Sequence, residues 1–234
     1  DAWLELYDFP VVYFPKFFHP DPSVVRQSGL LRPEISDHSS LGDSMYLPYF
    51  FVISDKKDIT LKPRLFNSGT FIVQSEYRQI TENSLTIIDS SITKSHDSST
   101  LDRDDSRSHF FVNSKIDLNL EKFKNSDLVI HFEKASNDNY LKLFDFMKSP
   151  LLLANNNSVL DTFINLKLDH EDYYFTTSFE IYESLSGSNS DRYQYVLPAY
   201  SFTKSFDFNE ENGSFYFGSS GSNVLHDTNV VSSK

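Results

Sequence analysis

The sequence predicts an all-β protein of antiparallel strands, and three observations predict it. Apolar and polar residues alternate with a period of two along most of the chain, which is the spacing of a strand with two different faces. Polar turn clusters such as "SDKKD", "TENS", "KFKNS" and "DFNEENG" separate the alternating segments. Composition agrees: 15% of the 234 residues are aromatic, with 22 Phe and 13 Tyr against one Trp, while Gly is scarce at 7. Aromatic residues suit a pleated surface better than a helical bundle.

Taken in chain order, residues 1 to 24 carry "AWLELYDFPVVYFPKFFHPDP", an aromatic stretch punctuated by prolines. Pro10, Pro15, Pro20 and Pro22 suit a stiff linker, because each fixes φ and removes a donor. Strand-like segments then follow at about 29 to 36, 45 to 54, 58 to 66, 70 to 80, 84 to 93 and 108 to 120. In "DLVIHFEK", Leu128, Ile130 and Phe132 fall on one face and Val129, His131 and Glu133 on the other. In "LDTFINLKLD", Leu160, Ile164 and Leu168 oppose Asp161, Asn165 and Asp169. In "YYFTTSFEIYES", Tyr173, Phe175, Phe179 and Ile181 alternate with Tyr174, Thr176, Ser178 and Glu180. Segments at about 193 to 206 and 213 to 219 complete a set of roughly eleven strands after the initial extended stretch.

Eleven alternating strands fit either a soluble sandwich, apolar face inward, or an outer-membrane barrel, apolar face toward lipid. Three features favour the barrel. Strands of about ten residues suit a tilted crossing, aromatics cap the apolar faces as a girdle requires, and short turns alternate with long loops. The long loops, "KSHDSSTLDRDDSRS" and "ASNDNYLKLFDFMKSPLLLANNNS", each follow an odd-numbered strand.

The formal net charge is −12, and the basic residues are scattered, which argues against nucleic acid as a partner. Without cysteine there is neither a disulfide framework nor a thiolate metal site. GxSxG, HExxH, P-loop and GxGxxG runs are absent, and the seven histidines lie apart from one another, so neither an enzyme nor a cofactor is expected. No metal site is expected either; the acidic run with Asp97, Asp102, Asp104 and Asp105 reads as a solvated loop before it reads as a cation site. The chain starts at Asp1 with no initiating Met, signal peptide or long apolar run, which reads as a piece of a longer protein.

Two prolines sit where strands should have their middles, Pro33 in "LLRPEIS" and Pro48 in "YLPYF". Proline within sheets is confined to edges, bulges and strand starts, so neighbouring prolines mark a weak seam. The surrounding run "DFPVVYFPKFFHPDPSVVRQSGLLRPEIS", then "YLPYFFVISDKKDITLKPRLF" and "SEYRQ", resembles the start of the barrel in LptD (OstA), the outer-membrane lipopolysaccharide assembly family. The family pattern is "PVxYxP", a basic residue before "SGFL.P", then "LPYY", "D.T..P" and "E.R". All recur here in order over roughly Phe9 to Gln79, with Leu30 where Phe is usual, Gln27 where a second basic residue often stands, and Phe50 where a second aromatic is expected. Beyond that stretch the likeness is a strand pattern, with "SRSHFF" a looser echo.

The resemblance implies an antiparallel outer-membrane β-barrel, partial at about eleven strands over residues 25 to 234. It implies that residues 1 to 24 are the end of a periplasmic β-jelly-roll, contributing its last strand and the linker. It further implies a barrel that opens laterally, with Pro33 and Pro48 weakening the gate, in lipopolysaccharide transport to the outer leaflet. Trp3, Leu4, Leu6, Val11, Tyr13 and Phe14 are then candidates to line an acyl-chain groove. Implied partners are lipopolysaccharide, outer-membrane lipid, an LptE-like lipoprotein plug and an LptA-like periplasmic bridge. If the apolar faces meet lipid, Lys62 and Arg64 with Glu76 and Arg78 point together into the lumen of adjacent strands, to face a headgroup or pair across strands. The competing readings are a secreted sandwich that binds a ligand and a porin-like channel.

Overall fold

A computed structural model describes residues 2–6, 9–14, 26–39, 41–94, 106–144, 147, 149–151, 158–186, 192–207 and 213–225, the first two ranges for their backbone alone. Two strands, β1 (Ala2–Leu6) and β2 (Phe9–Phe14), pair antiparallel in a sheet of their own. The sequence suggests one jelly-roll strand here; the backbone forms two, with a register irregularity after Leu4. Pro10 lies within β2, while Pro15, Pro20 and Pro22 fall outside the described residues, and the groove role expected for Trp3, Leu4, Leu6, Val11, Tyr13 and Phe14 concerns side chains that are likewise outside them.

All other strands belong to one antiparallel sheet of thirteen. It begins with four short pieces: β3 (Gly29–Leu30), β4 (Glu34–His38), β5 (Gly42–Tyr46) and β6 (Tyr49–Ser54). Long strands follow: β7 (Lys57–Phe66), β8 (Phe71–Ile80), β9 (Ser84–Lys94), β10 (Arg107–Asp117) and β11 (Asn125–Ala135). The sheet is completed by β12 (Val159–Asp169), β13 (Tyr173–Ser184), β14 (Tyr193–Asp207) and β15 (Ser214–Leu225). From β7 onward each strand pairs with the next in the chain, and the sheet ends at β15 on one side and β4 on the other, which do not pair with each other. Taking β3 with β4, and β5 with β6, as one crossing each turns the thirteen strands into the expected eleven crossings.

The prolines explain why those crossings are broken. Regular strand is interrupted at residues 31 to 33, between β3 and β4, and at residues 47 and 48, between β5 and β6. Pro33 and Pro48 are therefore not inside strands; each stands directly before the first residue of the next one, β4 and β6, where a missing donor is tolerated. Pro63 lies inside β7 and Pro198 inside β14, where the register against β15 shifts between Val196 and Ala199.

Alternation turns into two unlike faces. On one, Asp58, Thr60, Gln74, Asp89, Ser91, Thr93, His109, His131 and Glu133 are buried. On the other, Ile92, Phe110, Phe132, Ile164 and Phe179 are exposed, Ile92 to 58%. A soluble sandwich would reverse this arrangement, burying the apolar face at about 25 cal/mol per Å². Polar residues inside and apolar residues outside are the barrel pattern. Aromatics cluster near the short-turn end: Tyr173 meets Phe202 at 5.8 Å, Phe202 meets Phe217 at 6.3 Å, and Phe206 meets Phe215 at 6.0 Å.

The short turns, after β6, β8, β10 and β12, share one end of the strands, and the long connections after β9 and β11 share the other. At that long-loop end sits a compact apolar cluster of Leu41, Phe66, Ile72, Phe111, Ala135, Leu160 and Leu185. The loop after β11 contributes a one-turn helix, α1 (Tyr140–Leu143), whose Tyr140 and Leu141 join that cluster together with Phe144. The sequence reading has only a loop here. Four residues are too few for a helical period to register in the sequence.

Candidate functional site

The leading strands concentrate the residues singled out in the sequence, and their hydrogen bonding locates the weakness. Leu31 N–H donates to the Pro48 carbonyl at 2.8 Å. In an antiparallel pair a return bond would run from residue 48 to the Leu31 carbonyl, and proline has no N–H with which to make it. One strand later the pattern repeats: Leu47 N–H donates to the Pro63 carbonyl at 3.1 Å, and the return donor is again missing. Pro63 stays in register with Val73 on its other side. At Pro33 the defect is of another kind. Leu30 opposes Tyr49 while Glu34 opposes Tyr46, so three residues on the first crossing face two on the second, a bulge.

The bond missing at Pro48 lies between the first and second crossings, and the one missing at Pro63 lies between the second and third. Neither faces the free edge of β4. A residue on the second crossing cannot reach a strand beyond the first, since ladder bonds join only neighbours about 4.8 Å apart.

Lys62, Arg64, Glu76 and Arg78 share the enclosed face, because β7 and β8 pair in register and all four occupy even positions. Lys62 Nζ donates to Glu76 Oε2 at 2.7 Å, and Arg78 Nε lies 3.7 Å from Glu76 Oε1. Arg78 also reaches Asp58 at 2.9 Å, and Arg26 joins the same Asp58 carboxylate. Cross-strand pairing thus accounts for three of the four. Arg64 behaves differently: its Nη1 donates to Ser36 Oγ at 2.7 Å and to Ser44 Oγ at 3.0 Å, and the guanidinium lies 4.8 Å from the centre of the Tyr46 ring. It spans β5 to reach β4. A cavity of about 340 Å³ opens between these strands, lined by Glu34, Ser36, His38, Tyr46, Lys62, Arg64, Gln74 and Met147.

A second group on the enclosed face was not legible in the sequence. Gln74 Nε2 donates to Asp89 Oδ1 at 3.0 Å, Ser91 Oγ and His109 Nδ1 are 2.7 Å apart, and the Tyr140 hydroxyl bonds Ser91. His109 stacks on Phe111 at 4.4 Å. Ser, His and Asp side by side invite comparison with a nucleophile, base and orienting acid. The Ser91 hydroxyl is held by Tyr140 beneath α1, and His109 Nε2 stands 3.6 Å from Asp89, too far for a hydrogen bond. The group therefore ties the loop after β11 to the wall. Burial pushes the Tyr140 hydroxyl up to about 12, so it stays neutral at ordinary pH.

Arg192, just before β14, clamps the same loop from the other side. Its guanidinium makes a two-pronged contact with Asp138, at 2.5 and 3.1 Å. These contacts join residues up to 54 apart in sequence, and no local pattern announces them. Among the described residues no group of three or more His, Asp or Glu is placed to hold a metal ion. The acidic run with Asp97, Asp102, Asp104 and Asp105 lies outside the described residues. His170 and Asp172 sit in the turn after β12, 3.8 Å apart.

No family model matches the chain. Individual curated proteins do. The "LPS-assembly protein LptD" of Pseudomonas aeruginosa strain UCBPP-PA14 is 33% identical over 110 residues, 47% of this chain and 11% of that protein. That of Idiomarina loihiensis is 35% identical over 85 residues, covering 35% of this chain and 11% of the relative. A third, from Pseudoalteromonas atlantica, is 29% identical over 104 residues, 44% of this chain and 14% of its own. The chain spans roughly a tenth of the length of the curated relatives it matches.

Proposed function

Since the chain is related to the LPS-assembly protein LptD over nearly half its own length, we propose that it forms the leading part of an outer-membrane barrel that inserts lipopolysaccharide into the outer leaflet. The observation that carries this reading is the inverted sheet, polar on its enclosed face and apolar on its exposed one. Only lipid makes such an exposed face favourable, and only a closed set of strands satisfies the backbone there.

In this reading residues 25 to 234 belong to the barrel, and residues 1 to 24, whose two strands form their own sheet, belong to a periplasmic jelly-roll. Lipopolysaccharide arrives from an LptA-like bridge, its acyl chains passing along the groove for which Trp3, Leu4, Leu6, Val11, Tyr13 and Phe14 are candidates. An LptE-like lipoprotein fills the barrel. Pro33 and Pro48 weaken the leading crossings so that the barrel parts sideways, and Lys62, Arg64, Glu76 and Arg78 present a charged wall to the headgroup. The reaction is transfer without bond chemistry, and this chain supplies no catalytic group to it.

Topology tests the reading. The long-loop end faces the cell exterior and the short-turn end the periplasm, because the first crossing leaves the periplasm. The chain has no cysteine, so single cysteines at Asn137 and Lys56 in the full-length protein report each end. Whole cells treated with a membrane-impermeant thiol reagent should label Asn137→Cys and spare Lys56→Cys, and both variants should fractionate with the outer membrane. Labelling at Lys56 alone inverts the topology, and recovery of the protein in the detergent-free soluble fraction removes the barrel.

A further inference from the structure

We propose that Pro63 is a third member of the opening device. With Pro33 and Pro48 it draws a transverse hinge across the first three crossings, and the β4–β5 hairpin beyond that hinge is a flap fastened by Arg64. The hinge is a property of the backbone alone; its use in lateral opening rests on the function proposed above.

Three sets of observations carry it. Leu31 opposite Pro48, and Leu47 opposite Pro63, are successive steps of one line, and each step keeps a single bond where two are normal. The bulge at residues 31 to 33 falls on the same line. A sheet whose bonds are missing at one level on consecutive seams bends there more easily than anywhere else, just as a bulge bends the strand that carries it. Pro63 faces this line, whereas its other neighbour, Val73, belongs to a ladder that runs on undisturbed from Lys57 to Leu65. The defect stops at the third crossing.

Beyond the line, the hairpin of Glu34–His38 and Gly42–Tyr46 is attached to β7 by three ladder pairs, Ser44 with Phe66, Met45 with Leu65 and Tyr46 with Arg64. The ladder between β7 and β8, by contrast, runs through nine. Asn67, just past β7, adds a backbone bond from its N–H to the Asp43 carbonyl at 2.9 Å and a side-chain bond from Nδ2 to the Asp43 carboxylate at 3.3 Å, and two further side chains add to the attachment. Arg64 holds both strands of the hairpin at once, through Ser36 and Ser44, and lies against Tyr46. Leu41 at the hairpin tip is buried in the apolar cluster beside Phe66 and Ile72. A short ladder, one asparagine, one guanidinium and one leucine describe an element that moves as a unit, closed until those contacts are withdrawn.

Hydrogen–deuterium exchange on the full-length protein in detergent, with no lipopolysaccharide present, tests the hinge apart from transport. Peptides covering residues 34 to 46 should exchange at least tenfold faster than those covering β8 to β10. Pro63→Ala supplies the missing donor to the Leu47 carbonyl, so peeling β5 from β7 must break one more bond; flap exchange should slow by roughly two- to twelvefold. Arg64→Gln should speed flap exchange and leave β9 and β10 unchanged, while Ile164→Val, on the outer face of β12, should change neither. Heat-modifiable migration confirms that each variant is folded. A flap as slow as β8, or a Pro63→Ala effect spread evenly over all strands, overturns the hinge. Either result leaves the proposed function standing, and failure of the topology test above leaves the hinge standing.

Discussion

Replacing Pro48 with alanine is the substitution for which the structure sets both sign and size. The Leu31 carbonyl lies opposite residue 48, whose own carbonyl already accepts from Leu31 N–H at 2.8 Å. Alanine at 48 therefore completes a two-bond pair with no movement of either strand. One added backbone bond is worth about 0.5 to 1.5 kcal/mol net, and more where lipid excludes water. At about 1.4 kcal/mol per tenfold, opening between the first two crossings should become roughly two to twelve times rarer. Pro33→Ala should do less, because residue 33 sits in a bulge where its amide has no partner in register. The assay is delivery of lipopolysaccharide to the surface of cells in which the variant replaces the parent, with entry of bulky antibiotics as a second readout and outer-membrane abundance as the control for folding. The expected order of defect is Pro48→Ala above Pro33→Ala, with Ile164→Val indistinguishable from the parent. If Pro33→Ala is the more damaging of the two, the missing donor is not what matters at these prolines. If neither differs from Ile164→Val at equal abundance, the weakened ladder has no part in transport.

Two further substitutions and titrations follow from the enclosed face. Phe111 is fully buried and stacks on His109, so Phe111→Ala should cost about 3 to 5 kcal/mol, read as a lowered urea midpoint for the protein folded in detergent or lipid; a change below about 1 kcal/mol would mean the cluster repacks. Tyr140 has its hydroxyl raised from 10.0 to about 12 by burial, so the neutral form is favoured when folded. The stability this confers is complete below about pH 10 and is lost as pH rises through about 12, which should appear as proteolytic release of the loop after β11 in step with tyrosinate absorbance. Tyr140→Phe should abolish that alkaline transition.

What the sequence determined by itself is the strand content, because a period of two is a local property that every ladder must respect. It placed Leu128, Ile130 and Phe132 on one face and His131 and Glu133 on the other, and it put Lys62, Arg64, Glu76 and Arg78 together, since antiparallel register carries side-chain parity from one strand to the next. It also marked Pro33 and Pro48, because proline acts on its own residue. Which face is enclosed, however, is a global fact: sandwich and barrel share the same alternation, and only the sheet as a whole buries Asp89 and His109 while exposing Ile92 and Phe110. The seam that each proline weakens was likewise a matter of register, as a missing donor has a direction only once its neighbour is in place; hence Pro48 bears on the seam between the first two crossings and Pro63 on the next. The loop after β11 is held by Ser91, 49 residues before Tyr140, and by Arg192, 54 residues after Asp138. Bonds of that separation exist only after the strands between them have paired.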